Sequence, residues 1–332
     1  MNMTMIMTTA KKLLRRNLLW AAALALIPTL VIVAQPPQQT AGKDLSWAFP
    51  VPSKDQPKEE DTGPRHIPGS TKAFTQAQID DLFNPPVWFP DQYASAPPTV
   101  VHGKPPDVPG CGSCHLMSGM GHAESSQLAG LSSGYIVEQM NNFKSGDRKD
   151  PARMTAIGKA ISMDDAQQAA DYFSALKPIP WNKVVEADMV PKTYVNNARQ
   201  RLPLADGGTE PIGNRIIEVP LDPALALARD PRSGFTDYVP TGSIAKGKAL
   251  ASTGGDGKTL PCGICHGTTF TGVGDVPRLA GLSPIYIARQ LYRFQNGDRG
   301  GDASELMKPA VAQLQDDDII ALAAYLASQP PQ

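Results

Sequence analysis

Cysteine is scarce in this chain, with four residues in 332. Neither sign of charge is in clear excess either, since the formal net charge is −1. A protein with so little net charge lacks the basic surface that nucleic-acid binding requires, so we expect no nucleic-acid partner. Proline, by contrast, occurs 32 times, which predicts many turns and long irregular connections. The length allows two domains and additional segments.

Long hydrophobic runs are also rare, and the clearest one lies near the N-terminus. It extends from residue 18 to residue 34, follows four basic residues at 11, 12, 15 and 16, and precedes a polar, proline-rich stretch. This arrangement is typical of an export signal. The run has 17 residues, the lower limit for a membrane-spanning helix. Residues 1–36 are therefore predicted to be either a cleaved signal or a membrane anchor, and the rest of the chain is predicted to be periplasmic.

All four cysteines belong to one motif that occurs twice, as CGSCH at residues 111–115 and CGICH at residues 262–266. Two thiols at this spacing on a helical turn can form thioethers with the two vinyl groups of one haem, and the next histidine can then bind the iron. A zinc site would need both cysteine pairs brought together, and the two pairs start 151 residues apart. A dithiol redox site would not require a histidine directly after the second cysteine. The motif therefore predicts two covalently bound haem c groups, attached through Cys111, Cys114, Cys262 and Cys265, with His115 and His266 as axial ligands of the iron.

The two motifs are part of a longer internal repeat. The segment LAGLS recurs at the same offset of 151, from residue 128 to residue 279, and the offset becomes 153 after two inserted residues. The repeat predicts a first domain at residues 99–178 and a second at residues 241–332. Outside them lie a proline-rich N-terminal extension, residues 37–98, and an inter-domain linker, residues 179–240.

Each repeat contains two clear helical patterns. In the first copy, Tyr135, Gln139 and Phe143 follow one helical face that ends at Gly146. The other pattern spans residues 162–176 and corresponds to residues 315–328 in the second copy. Neither repeat shows an alternation typical of strands, and the linker has one strand-like piece at residues 215–219.

A histidine-bound haem iron needs a sixth ligand, and each repeat offers a methionine at the matching position. Met154 follows His115 by 39 residues, and Met307 follows His266 by 41. These two are predicted to be axial ligands of the iron. The other methionines of the first copy have no methionine counterpart, so we interpret them as packing or surface residues; they are Met117, Met120, Met140 and Met163. His122 is unmatched as well and is predicted to lie at the surface.

The sequences CGICHG, LAGLSPIYIARQLYRFQNGDR and LMKPAVAQLQDDDIIALAAYLAS resemble the di-haem class I c-type cytochromes of the cytochrome c-four type. The resemblance covers both repeats, about half of the chain. It implies an all-α fold with two class I cytochrome c domains in tandem, haems bound by histidine and methionine, and transfer of single electrons in the periplasm. It also implies that a helix near residues 243–252, with Gly247, crosses the last helix near Tyr325.

The first copy departs from the family pattern in three places. Its first helix is replaced by a short proline-rich segment, VVHGKPPDVPGC, so the haem there is either more open or covered by residues 44–98. Leu116 stands where the second copy has Gly267, and Ser126 stands where it has Pro277, whose carbonyl orients the haem-binding histidine in the family. Because such neighbours tune an axial histidine, we expect the two haems to differ in reduction potential.

These features predict a di-haem cytochrome that carries electrons from a donor, such as a periplasmic dehydrogenase, to a respiratory acceptor, such as a terminal oxidase. One alternative is a di-haem redox enzyme of the peroxidase or thiosulfate-oxidising type, with an open haem in the first domain. Another is a haem-containing binding module of a membrane complex. Beyond residue 43 the chain has 26 basic and 32 acidic residues, which predicts salt-sensitive docking onto basic patches of a partner.

Overall fold

The computed structural model describes residues 44–57, 63–122 and 125–331, and the predicted signal or anchor at residues 1–36 lies outside them. Within these ranges no helix combines the length and apolar character needed to cross a membrane. The described residues belong to one compact unit.

Six helices lie in the described parts of the N-terminal extension and the first repeat. They are α1 (Gln76–Ile79), α2 (Pro98–Val101), α3 (Gly112–His115), α4 (Ser133–Ser145), α5 (Met154–Ala160) and α6 (Met163–Ala175), with a 3-10 turn at Pro90–Tyr93. The Ser132 hydroxyl accepts a hydrogen bond from the Tyr135 amide and begins α4, and Gly146, with a φ of +92°, ends it as predicted. Ser162 caps α6 in the same way, and two aspartates in its first turn suit the helix dipole.

The linker contains seven short strands and one helix, so the predicted all-α fold is only partly right. They are β1 (Asn182–Glu186), β2 (Met189–Pro191), β3 (Thr193–Val195), β4 (Arg201–Pro203), β5 (Thr209–Pro211), β6 (Ile217–Pro220), α7 (Pro223–Leu227) and β7 (Phe235–Val239). Strand β7 is central in a three-stranded sheet, parallel to β1 and antiparallel to β6, while β2 pairs with β5 and β3 with β4. Four of the strands have three residues each, too short to show a period of two in the sequence.

The second repeat is helical. It contains α8 (Ser243–Thr253), α9 (Gly263–His266), α10 (Pro284–Gln295), α11 (Met307–Val311) and α12 (Asp316–Ala327), with a 3-10 turn at Asp302–Leu306. Helix α8 crosses α12 where Gly247 meets the chain at Ala321 and Tyr325, because a Cβ atom on Gly247 would lie 1.9 Å from the Ala321 carbonyl oxygen. This confirms the crossing implied by the family resemblance. The first repeat has only the four-residue α2 in place of α8.

Both proline-rich segments pack on the repeats. Trp47 of the extension is buried in the core of the second repeat, where its ring meets that of Tyr292 edge-on at 6.4 Å. Trp88 is fully buried between the extension and residues 179–240, and its indole nitrogen donates a hydrogen bond to the Ala228 carbonyl at 2.8 Å. The described part of the extension therefore belongs to the same folded unit as the repeats.

Residues 179–240, called the strap below, contact both repeats. In the first repeat, Trp181 and Phe235 pack in a buried cluster with Leu116, Met120 and Ala129. In the second, the Asn182 amide donates to the Gly281 carbonyl at 2.9 Å and the Ser283 hydroxyl donates to Glu218 at 2.6 Å. The strap thus connects the repeats through contacts as well as through the chain itself.

Candidate functional site

Each C-x-x-C-H motif forms a single helical turn, α3 in the first repeat and α9 in the second. Two residues three positions apart lie on the same side of a helix, so the thiols of each motif share one face. All four cysteines are free of disulfide bonds. Burial raises the pKa of the Cys111 thiol to about 12 and that of Cys262 to about 11, so neither has the low pKa of a redox-active dithiol.

The two histidines are held in the same way. The Nδ1 atom of His115 lies 2.8 Å from the Ser126 carbonyl oxygen, and Nδ1 of His266 lies 2.8 Å from the Pro277 carbonyl oxygen. A carbonyl oxygen can only accept, so each Nδ1 carries the proton and each Nε2 has its lone pair available for a metal. The exchange of proline for serine in the first copy therefore leaves the orienting carbonyl in place.

Burial also lowers the pKa of both histidines, which favours the neutral ring that a metal requires. A buried arginine of the same repeat adds to this effect, Arg148 for His115 and Arg299 for His266. The Nε atom of each arginine is buried without a hydrogen-bond partner among the described residues.

The two predicted methionine ligands occupy equivalent positions. Met154 is the first residue of α5 and Met307 the first residue of α11, and both are half-buried. Met307 packs against the core of the second repeat, as Cys262 does. Met154 packs against a smaller cluster of the first repeat that includes Val108 and Phe143.

The unmatched methionines pack inside the first repeat, whereas His122 lies next to the strap. Met117 and Met120 are buried, and Met140 and Met163 belong to the cluster that also holds Met154. The prediction that His122 lies at the surface is only partly right, because its side chain is half-buried against the strap. His122 lines a small cavity with Trp181 and Arg229, its Nδ1 is buried without a partner among the described residues, and burial lowers its pKa to about 3.

The donor set at each turn fits a covalently attached haem. It combines two thiols on one face, a histidine with a free Nε2 atom and a half-buried thioether at the equivalent position of the repeat. The unpartnered Nε atoms of Arg148 and Arg299 suit the anionic carboxylates that such a group brings. Among the described residues, no group of three or more His, Cys, Asp and Glu side chains is arranged to hold a bare metal ion.

A buried hydrogen-bond network, which the sequence interpretation missed, joins the two sites. Arg148 donates to Gln139 of its own repeat at 2.8 Å and to Gln290 of the other at 2.9 Å. Arg299 donates to Gln290 at 3.0 Å and to the Tyr135 hydroxyl at 2.8 Å. The signal is present in the sequence, since these polar residues recur at the offset of 151, but a recurring position alone does not show that its residues are paired across the two repeats.

The backbone at the same place follows a similar two-fold pattern. Arg148 and Arg299 form an antiparallel bridge, the Lys149 amide donates to the Asp298 carbonyl at 2.7 Å, and the Gly300 amide donates to the Asp147 carbonyl at 2.7 Å. The loops after α4 and α10 are therefore paired across the boundary between the repeats.

Comparisons with known proteins agree with this arrangement. The family model described as cytochrome c matches residues 244–330. Cytochrome c-554(548) of Halomonas halodenitrificans is 37% identical over 76 residues, which cover 23% of this chain and 92% of that protein. The thiosulfate dehydrogenase electron acceptor of Thiomonas intermedia is 28% identical over 71% of this chain and 85% of its own length. Cytochrome c4 of Pseudomonas aeruginosa is 25% identical over 65% of this chain and 82% of its own length.

Proposed function

The chain belongs to the cytochrome c family and is an electron carrier with covalently bound haem c, and we propose that it holds two such haems, one in each repeat. In this proposal residues 99–178 and 241–332 are the two cytochrome c domains in tandem. The observation that carries it is the histidine geometry, which is the same in both copies at 2.8 Å.

We assign the attachment of the haems to the four cysteines and the axial positions to His115, Met154, His266 and Met307. When bound, each haem supplies an iron that alternates between the ferrous and ferric states, one electron at a time. The Ser126 and Pro277 carbonyls fix the orientation of the histidine rings and keep the proton on Nδ1. Arg148 and Arg299 place positive charge beside the two sites, and the paired loops keep the repeats at a fixed separation.

We infer that the electron donor is a periplasmic dehydrogenase. Two relatives, from Thiomonas intermedia and Stutzerimonas stutzeri, are named electron acceptors of thiosulfate dehydrogenase, and the chain spans more than four fifths of each. An enzyme that oxidises a small sulfur compound is therefore the first donor to test. The acceptor is proposed to be respiratory, and residues 1–36 to direct export to the periplasm or to anchor the protein in the inner membrane.

The spectra of the ferric holoprotein test this proposal. Two low-spin signals by electron paramagnetic resonance, each with a methionine–iron absorption band, are expected. Replacing Met154 or Met307 with alanine should convert one haem to high spin and leave the other unchanged. Met163→Ala is the matched control, because Met163 also begins a helix and is half-buried but has no counterpart in the second repeat.

The opposite result would favour an enzyme. If one haem of the unaltered protein is high spin and Met154→Ala leaves its spectrum unchanged, the first site is open and Met154 is not a ligand. The protein would then be tested for turnover of peroxide and of sulfur substrates.

A further inference from the structure

The residue directly after the histidine of each C-x-x-C-H turn adopts the same unusual backbone conformation. Leu116 has a φ of +59° and a ψ of +161°, and Gly267 has a φ of +81° and a ψ of +152°. This region of φ and ψ is essentially restricted to glycine, because a Cβ atom crowds the backbone there. The backbone at Leu116 is therefore strained, whereas glycine at the equivalent position of the second repeat adopts the same conformation freely.

The loop needs this conformation in both repeats, since its hydrogen bonds are the same. The amide three residues later donates to the carbonyl of the residue in question, from Gly119 to Leu116 at 3.1 Å and from Phe270 to Gly267 at 2.9 Å. The strain at Leu116 thus comes from the leucine side chain and not from a different loop. Strain of this kind persists only where the surrounding structure fixes it.

The strap supplies these surroundings. Leu116 is 5% exposed and packs in a buried cluster with Trp181 and Phe235 of the strap. The two aromatic rings lie against each other with centroids 6.1 Å apart, and the Phe235 amide donates to the Trp181 carbonyl at 2.9 Å. The strap side of the cluster is therefore fixed by its own contacts, and Leu116 packs on a firm surface.

The strap also contacts the turn on the other side of His115. The guanidinium group of Arg229, with 11% of its side chain exposed, donates a hydrogen bond to the Ser113 carbonyl oxygen. Ser113 precedes His115 by two residues, and Leu116 follows it at once. His115 therefore lies along the chain between two contacts with the strap, one polar and one apolar.

The turn of the second repeat is arranged differently. Gly267 has no side chain to pack, and Ile264, the counterpart of Ser113, is 75% exposed. An apolar residue at positive φ occurs here three positions later, at Phe270, which has a φ of +59°. Its ring packs inside the repeat, edge-on to Tyr325 at 5.8 Å. The apolar contact between the strap and the residue after the histidine is therefore specific to the first repeat.

We propose that Leu116 is a positioning residue, through which the strap fixes the orientation of the His115 ring and thereby raises the reduction potential of the first haem site. The proposal rests on the proposed function, in which His115 binds the iron. The Ser126 carbonyl directs Nδ1 of the ring at 2.8 Å, and Leu116 holds the backbone that carries the ring. Because its buried side chain also keeps water from the turn, it disfavours the charge of the ferric state.

Paramagnetic proton NMR of the ferric holoprotein tests this, because the spread of the haem methyl resonances depends on the orientation of the axial histidine ring. Leu116→Gly introduces the residue that the second copy has, so the loop should fold, and it removes the contact with the strap. We expect the methyl pattern of the first haem to change and that of the second to stay the same. The equilibrium constant for reduction of the first haem should fall about threefold, which is about 28 mV at about 59 mV per tenfold.

Three further variants separate packing from strain. Leu116→Ala loses the contact with the strap but keeps a Cβ atom at positive φ, and it should change the methyl pattern as Leu116→Gly does. Leu116→Met keeps an apolar side chain of similar volume and should retain the original pattern and potential. Trp181→Leu acts from the strap side, and its effect on the potential should not add to that of Leu116→Gly, because both remove the same contact.

The matched control is Leu202→Ala in strand β4, since Leu202 is a buried leucine of the strap, at 3% exposure, outside the cluster that holds Leu116. It should leave both methyl patterns unchanged. An unaltered pattern in Leu116→Gly and Leu116→Ala, or an equal change in both haems or in the control, would overturn the proposal. If the unaltered protein lacks two low-spin ferric signals, the proposed function itself fails, and this result is distinguishable because it requires no substitution.

Discussion

Arg299 donates a hydrogen bond to the hydroxyl of Tyr135 at 2.8 Å, although the two residues are 164 positions apart and lie in different repeats. The relationship is reciprocal, because Arg148 of the first repeat donates to Tyr286 of the second at 3.3 Å. Both arginines are buried, at 5% and 7% exposure. Two buried cations with shared polar partners therefore join the repeats, and they lie beside both candidate haem sites.

Arg299→Gln should lower the free energy of unfolding by about 3 kcal/mol. The shorter side chain cannot reach Tyr135 and Gln290 together, and buried groups would lose hydrogen bonds to a charged donor. Denaturation of the holoprotein in guanidinium chloride, followed by far-ultraviolet circular dichroism, measures the change. The exposed Arg153→Gln is the control, and equal effects of the two substitutions would contradict a role for the network in stability.

Arg229→Gln should lower the reduction potential of one haem and leave the other unchanged. The guanidinium group binds the Ser113 carbonyl inside the first C-x-x-C-H turn and is mostly buried, and a nearby positive charge favours the reduced iron. We expect a decrease on the order of tens of millivolts, since about 59 mV corresponds to tenfold in a one-electron equilibrium. A spectroscopic redox titration resolves the two haems.

The control for Arg229 is Lys183→Gln, which removes an exposed positive charge from strand β1 of the same strap. It should leave both potentials within error of the unaltered protein. If both haems shift together in Arg229→Gln, the effect is a general one of net charge, and the difference between the two sites needs another explanation.

Much of the helical structure was predictable because its signals are local and occur twice. The cap at Ser132, the end at Gly146 and the acidic first turn of α6 all lie within a few residues of the elements they define. The strap was not predictable in this way, since strands of three residues carry no periodic signal.

The features of the sites that the sequence did not reveal depend on contacts between distant segments. The sequence predicts that His122 lies at the surface, whereas in the structure it lines a small cavity with Trp181 and Arg229. Ser113 and Ile264 occupy the same position of the repeat, but Ser113 is fully buried and its carbonyl binds Arg229, whereas Ile264 is 75% exposed. Burial of this kind depends on tertiary packing and leaves no period in the sequence.

Gly247→Ala should destabilise the second repeat by about 3 kcal/mol. A Cβ atom there would overlap the Ala321 carbonyl oxygen at 1.9 Å and the Tyr325 Cβ at 2.7 Å, so α8 and α12 would have to separate. Ala249→Gly on the exposed side of α8 controls for helix propensity and should cost about 1 kcal/mol. Thermal unfolding of the holoprotein measures both, and a stabilising effect of Gly247→Ala would show that the helices are not in close contact.

Asp237→Asn should stabilise the protein at neutral pH and change its pH dependence. Asp237 is fully buried in β7 directly opposite Glu218 of β6, and burial together with the Glu218 carboxylate raises its pKa well above the usual 3.8. The folded state therefore keeps a proton that the unfolded state releases, so stability falls as the pH rises above about 4 toward the raised value. Within that window each pH unit costs about 1.4 kcal/mol.

Asparagine has a similar shape, carries no charge and can donate to Glu218 from its amide, so the variant should lose this fall in stability. Unfolding of both proteins in guanidinium chloride at about pH 4.5 and pH 7.5 provides the test. The gain in stability from Asp237→Asn should be larger at about pH 7.5, because the unaltered protein loses stability as the pH rises and the variant, which has no carboxyl group at this position, does not. Asp206→Asn, at an exposed turn of the strap, is the control and should give no gain at either pH. A gain in Asp237→Asn of equal size at both pH values would contradict the retention of a proton by the buried Asp237–Glu218 pair.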